Sequence, residues 1–178
     1  NFEVTTSEQQ AVVAALRSYV ADFDEHLAAG AGVVLSGRAG CGKDHLFATM
    51  GVNVALHFGV EPRWISGVEL WGSLRDAIGR DRSESEVLSP LQSAGVLVLS
   101  DPCPPAGTLT DYQAAQLLRL VDCRYRNLRP TWVSLNVSGR AEANERLGVA
   151  VVDRLRDGAL CLACGWPSFR QPLATRDE

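Results

Sequence analysis

Apolar positions along the chain follow two periods, one helical and one extended. Val12, Ala15, Leu16, Val20 and Phe23 fall at helical spacing behind the capping-box pattern Thr6-Ser7-Glu8-Gln9-Gln10, which predicts a helix running to near Gly30. Residues 32–36 form a short apolar run closed by glycine, and hence a buried strand. Helical patterns follow over 45–58, 68–78 and 111–127, and shorter ones over 139–148 and 149–156. Strand patterns follow over 63–66, 95–101, 132–135 and 159–163. Residues 79–93 are polar around Pro90 and predict a loop with a short helix, whereas the three prolines of 102–109 predict a loop. Continuous apolar strands that alternate with helices imply a parallel sheet covered on both faces: a three-layer α/β/α domain with five strands and right-handed crossovers.

Length agrees with this picture. A chain of 178 residues suits one domain, spanning residues 1–178, and can bury its core without disulfides or metal. Hydrophobic residues make up 46 % and charged residues 21 %, which excludes wholesale disorder. No apolar run reaches the length of a membrane span, so no membrane partner is expected. The net charge of −4 argues against a uniformly basic nucleic-acid binder, but leaves room for a local basic groove. The five cysteines are odd in number and dispersed, and no signal peptide precedes them, which points to a reducing cytoplasm. Cys161 and Cys164 form a CxxC without a second ligand pair, so two half-buried strand cysteines are expected rather than a zinc site. The chain opens on Asn1 rather than Met, which predicts an N-terminally trimmed sequence.

One count changes the picture. Of the 17 basic residues only Lys43 is a lysine, an imbalance that points to a GC-rich genome. A lysine retained under that drift marks a place where a narrow loop admits a compact ammonium but not a planar guanidinium. It ends the run Gly37-Arg38-Ala39-Gly40-Cys41-Gly42-Lys43, which follows a predicted strand and opens a predicted helix, the context a phosphate-binding P-loop requires. There backbone N–H groups and the helix N-terminus face the phosphates, and Lys43 reaches the β- and γ-phosphate oxygens. The pattern asks for Ser or Thr next, and Asp44 stands in its place: a hard Mg²⁺ ligand, a helix-start anion, or a negative charge that lowers nucleotide affinity. The strand 96–100 ends in Asp101, the form of a Walker B metal-binding carboxylate. Where related ATPases have a glutamate base, Pro102 follows, so nucleotide binding is better supported than hydrolysis; Asp111 and Asp44 are the substitute bases to consider.

The run from Ser36 to Leu46, with His45-Leu46 soon after the lysine, resembles the P-loop of DnaC-type replicative helicase loaders and of IstB-like transposition ATPases. Val121-Asp122-Cys123-Arg124-Tyr125 through Pro130-Thr131, Val152-Asp153-Arg154-Leu155 through Gly158, and Trp166-Pro167-Ser168-Phe169-Arg170 resemble further motifs of that family, in the same order. The resemblance implies an AAA+ core in which the strand after Walker B inserts between the two nucleotide strands. It implies a nucleotide site of Gly37, Arg38, Ala39, Gly40, Cys41, Gly42, Lys43, Asp44 and His45 holding ATP or ADP, with Mg²⁺ on Asp44 and Asp101. It further implies Asn136 as sensor 1, Arg154 as an arginine finger acting on a neighbouring subunit, and Arg170 as sensor 2. Without the family, Asn136 reads as a turn residue, Arg154 as a surface arginine paired to Asp153 or Asp157, and Arg170 as a tail residue. Eight residues follow Arg170, too few for a helical lid, and the family's N-terminal helicase-binding domain is absent from this sequence.

An arginine finger in trans implies head-to-tail assembly in the ATP state, with the replicative helicase and single-stranded DNA as partners. Arg75, Arg80 and Arg82 near Trp71 are candidate DNA contacts, though neighbouring Asp76 and Asp81 favour a solvated face; Arg124, Arg126 and Arg129 form a second basic cluster at a helix end. Three functions stay open: a helicase loader, an IstB-like transposition helper, and a nucleotide-gated adaptor that has lost hydrolysis.

Overall fold

In a computed structural model, residues 4–104 and 107–170 are described. The helices are α1 (Ser7–Ala21), α2 (Phe23–Ala29), α3 (Lys43–Phe58), α4 (Gly67–Gly79), α5 (Glu84–Ser93), α6 (Asp111–Arg126), α7 (Arg140–Leu147) and α8 (Val149–Arg156). The strands are β1 (Val33–Gly37), β2 (Arg63–Ser66), β3 (Leu97–Ser100), β4 (Thr131–Leu135) and β5 (Leu160–Cys164). All neighbouring strands are parallel, in the order β2-β3-β4-β1-β5, so β4 lies between β3 and β1 as the family resemblance implies.

The period of two along the strands sorts the core into two layers. Val33, Leu35, Val98 and Trp132 face the layer of α1, α2 and α3, whereas Val34, Leu97, Leu99 and Val133 face that of α4 to α8. Trp132 is the hub of the first layer: Phe47 stacks on it at 5.9 Å, Tyr19 and Phe23 meet it edge-on at 6.1 and 6.4 Å, and its Nε1 donates to the Tyr19 hydroxyl at 3.1 Å. Across the sheet, the fully buried Arg124 of α6 donates to the carbonyls of Leu91, Ala94 and Pro130 at 2.6–2.7 Å and to Thr131 Oγ1 at 3.0 Å. It therefore ties the end of α5 to the start of β4. Burial pulls its pKa down to about 10, still high enough to keep the charge at neutral pH.

Two expectations are corrected. The first predicted helix is two helices, because Asp22 (φ −101°, ψ 28°) leaves helical geometry and the chain turns to bury Phe23 completely. Arg124 is not part of a basic surface cluster: its proximity to a helix C-terminus concealed an internal tie. The expected lidless end concerns residues beyond Arg170, which lie outside the described residues.

Candidate nucleotide-binding site

The C-terminal ends of β1, β3 and β4 and the N-terminal ends of α3 and α4 enclose a cavity of about 530 Å³. Its lining includes Ala39, Gly40, Gly42, Lys43, Asp44, His45, Asp101, Asn136 and Arg170. This is where a parallel sheet places ligands, beyond the carboxyl ends of its strands. Gly40 and Gly42 hold φ of 82° and 92°, a region open chiefly to glycine, and so turn the loop sharply between β1 and α3.

Lys43 is 5 % exposed, and its ammonium donates to the carbonyls of Gly37 and Arg38 at 2.8 and 2.9 Å and to Asn136 Oδ1 at 2.8 Å. Asn136, at the tip of β4, in turn donates Nδ2 and its backbone N–H to the Asp101 carboxylate. Lys43, Asn136 and Asp101 thus form one chain of hydrogen bonds along the cavity. Asp101 itself adopts a positive φ of 43°, unusual outside glycine, at the point where β3 gives way to the following loop.

Asp44 lies in the first turn of α3, but its carboxylate caps no helical N–H in the described contacts. One oxygen accepts the hydroxyl of Ser100 at 2.6 Å and the other that of Ser134 at 2.7 Å. Ser100 and Ser134 are register partners on β3 and β4, which directs both hydroxyls to the same side of the sheet. Nothing in the sequence pattern singles out these serines.

The segment behind the loop also holds it. Trp166, 3 % exposed, donates Nε1 to the Cys41 carbonyl at 2.8 Å, and Phe169 donates its N–H to the Gly40 carbonyl at 3.0 Å. A Cβ at Gly40 would stand 3.1 Å from Ser168 Cβ, so the strap packs closely on a loop position whose positive φ already favours glycine. The strap delivers Arg170 to the cavity. Arg146 of α7 clamps the far wall, donating to the carbonyls of Asn136 at 3.1 Å and of Pro104.

Of the predicted site residues, Ala39, Gly40, Gly42, Lys43, Asp44, His45, Asp101, Asn136 and Arg170 line the cavity, whereas Gly37, Arg38, Cys41 and Arg154 do not. Arg154 sits on α8, where its Nε meets Asp122 Oδ1 of α6 at 2.6 Å; its partner is Asp122 rather than Asp153 or Asp157. Two residues of the family-like motifs therefore hold each other. Asp111 opens α6 and does not line the cavity. Trp71 is half-buried with its Nε1 donated to the Pro102 carbonyl at 3.2 Å, and Arg82 has Glu86 at 3.9 Å, so the tryptophan is committed to the segment after β3 rather than to a basic stripe. Cys161 and Cys164 do not act together: Cys164 is fully buried beside Cys41 of the P-loop. Among the described residues no three His, Cys, Asp or Glu side chains gather as a metal cluster, and no helix is long and apolar enough to cross a membrane.

No protein-family model matches the chain. The replicative helicase loader DnaC of Escherichia coli strain K12 is 28 % identical over 181 residues, covering 99 % of this chain and 70 % of that protein. A crystal structure of the DnaC helicase loader superposes with a TM-score of 0.80 at 22 % identity, over 91 % of this chain and 93 % of the other. The replication initiator DnaA bound to AMPPCP and single-stranded DNA superposes with a TM-score of 0.72 at 12 % identity, over 90 % of this chain and 47 % of that one. Over nearly its whole length the chain is similar to DnaC-type replicative helicase loaders, and it has the P-loop AAA+ fold.

Proposed function

We propose that this protein binds ATP and ADP through its P-loop and acts as a cytoplasmic AAA+ replication factor of the helicase-loader type, its nucleotide state controlling assembly on a replicative helicase and on single-stranded DNA. The observation that carries this reading is the convergence of Lys43, Asp101, Asn136 and Arg170 on one cavity at the start of α3. The ammonium and guanidinium supply the charge that a triphosphate needs, and the α3 N-terminus adds backbone donors. Lys43 has to exchange its bonds to the Gly37 and Arg38 carbonyls for phosphate oxygens, so the loop is preorganised around the ammonium before ligand arrives.

The donor chemistry suits Mg²⁺. Asp44 and Asp101 both line the cavity, and each carboxylate oxygen that accepts one hydrogen bond retains a further lone pair. The remaining ligands would come from phosphate and water, and the ion would neutralise phosphate charge beside the two carboxylates. Asn136, already bonded to Lys43, is placed to position a γ-phosphate or a water. Pro102 offers no proton acceptor in its side chain, Asp111 stands outside the cavity, and both oxygens of Asp44 already accept serine hydroxyls, which favours a nucleotide-gated switch with slow turnover over a vigorous ATPase.

Arg154 on the outer face of α8 suits contact with the nucleotide of a neighbouring subunit, provided that it leaves Asp122. The deciding experiment mixes the protein with a replicative helicase and labelled single-stranded DNA in ATP, ADP or no nucleotide, and reads complex size by light scattering and phosphate release in parallel. The expected result is a larger assembly in ATP than in ADP with little phosphate released. Identical assemblies under all three conditions contradict the switch.

A further inference from the structure

The P-loop carries a thiol that phosphate binding does not need. Cys41 is fully buried between Gly40 and Gly42, its Sγ 3.6 Å from the Lys43 ammonium and its carbonyl held by Trp166. Cys164, also fully buried, ends β5. It is the register partner of Gly37, the first residue of the loop, and a Cβ at Gly37 would stand 3.0 Å from the Cβ of Cys164. Lys43 bridges the same two points, donating to the Gly37 carbonyl and to Cys41 Sγ. Both sulfurs therefore share one apolar pocket beneath the phosphate loop, within hydrogen-bonding reach of each other.

The two thiols differ in character. Cys41 is held below the usual thiol range, first by the hydrogen bond from the Cys164 thiol, against burial, and with help from the Lys43 charge. Cys164 is pushed up by that same bond and by burial, so it keeps its proton. A thiol whose proton is loosened by a second thiol and by a nearby cation is drawn towards thiolate chemistry. By contrast Cys103, buried without such a partner, is pushed up to about 11.

We propose that Cys41 and Cys164 form a redox-sensitive pair that peroxide joins as a disulfide, closing the P-loop to nucleotide phosphate. The inference rests on the nucleotide-binding reading above. In the first step the Cys41 thiolate attacks one peroxide oxygen, giving a sulfenic acid and releasing the other oxygen as water after protonation. In the second, Cys164 sulfur attacks Cys41 sulfur, the S–S bond forms, and the sulfenic oxygen leaves as a second water carrying the Cys164 proton. Two thiols and one hydrogen peroxide become one disulfide and two waters. Joined to β5, the loop loses the freedom to reshape around a phosphate. Thiol reductant reverses the change.

The test treats the reduced protein with hydrogen peroxide, maps disulfides by peptide mass spectrometry, and titrates ADP with Mg²⁺ before oxidation, after it, and after dithiothreitol. The expected result is a Cys41–Cys164 linkage, ADP affinity lower by at least about tenfold, and full recovery on reduction. Cys164→Ala, with Cys164→Ser as a second variant should the first prove unstable, is expected to bind ADP like the reduced protein and to be far less sensitive to peroxide. Peroxide that leaves the pair unlinked overturns the proposal, as does a linkage that leaves ADP affinity unchanged. Reduced protein that binds no ADP overturns the nucleotide reading and the gating claim with it, and the mass map still decides separately whether the pair links.

Discussion

Asp44 accepts a hydrogen bond from Ser100 across 2.6 Å, joining the first turn of α3 to the last residue of β3. The P-loop pattern puts a hydroxyl after its lysine, whereas here the loop carries a second carboxylate beside Asp101, and its two oxygens are taken by strand hydroxyls, with Ser134 bonding the second at 2.7 Å. The cost is an extra negative charge beside the phosphates, set against Lys43 and Arg170.

Asp44→Thr removes that charge and restores the hydroxyl. ATP affinity in Mg²⁺ is expected to rise by roughly fivefold, and affinity without metal by more, because the carboxylate repels an uncompensated phosphate most strongly. Calorimetric titration of both proteins with and without Mg²⁺ checks this. A weaker variant of unchanged melting temperature would make Asp44 an asset to binding rather than a burden.

Trp166→Phe keeps the buried ring and deletes the N–H that holds the Cys41 carbonyl. Stability is expected to fall by about 1 kcal/mol, the usual worth of one hydrogen bond. ADP affinity is expected to fall by a few-fold, because the loop loses a support. Urea unfolding and nucleotide titration on the same samples separate the two effects, and unchanged affinity would confine Trp166 to packing.

Arg124 bonds only neutral acceptors from inside the protein. Arg124→Met strands the carbonyls of Leu91, Ala94 and Pro130 and is expected to cost about 3 kcal/mol. Arg124→Lys is expected to rescue little, since an ammonium cannot span acceptors on both α5 and β4 as the fork does. Chemical denaturation reads both variants. Stability close to that of the unmodified protein in Arg124→Lys would show that charge rather than geometry matters.

Tyr19 sets an alkaline limit. Burial pushes its phenol up to about 12, against a hydrogen bond from Trp132 that lowers it, so the folded state keeps the proton that an unfolded chain releases near pH 10. Its contribution is therefore complete below pH 10 and is lost as pH rises towards 12, at a cost of roughly 2–3 kcal/mol. Tyr19→Phe is expected to be less stable at pH 8 but to lose less between pH 10 and 12, as unfolding curves across that range will show.

Four of the strands are readable as short apolar runs bounded by turn residues, and β2, Arg-Trp-Ile-Ser at the sheet edge, nonetheless begins and ends where the pattern predicts. The P-loop was readable because its glycines and lysine are consecutive. The break at Asp22 was not, since helical spacing continues through Phe23 and only the tertiary fold turns that ring inwards. Asp122 as the partner of Arg154, the two serines around Asp44, and Cys164 beneath Cys41 all depend on which strands and helices lie side by side, and a linear pattern does not encode this. Arg124 misled for a related reason, because a basic residue near a helix C-terminus is favourable in water as well.

The central claim is that this cavity binds nucleotide phosphate through Lys43. Calorimetric titration of ATP and ADP with Mg²⁺, on this protein and on Lys43→Ala, tests it most directly. The account expects saturable micromolar binding that the substitution weakens by about a hundredfold or more. No heat with either nucleotide, or equal binding by the variant with its fold intact, would contradict it.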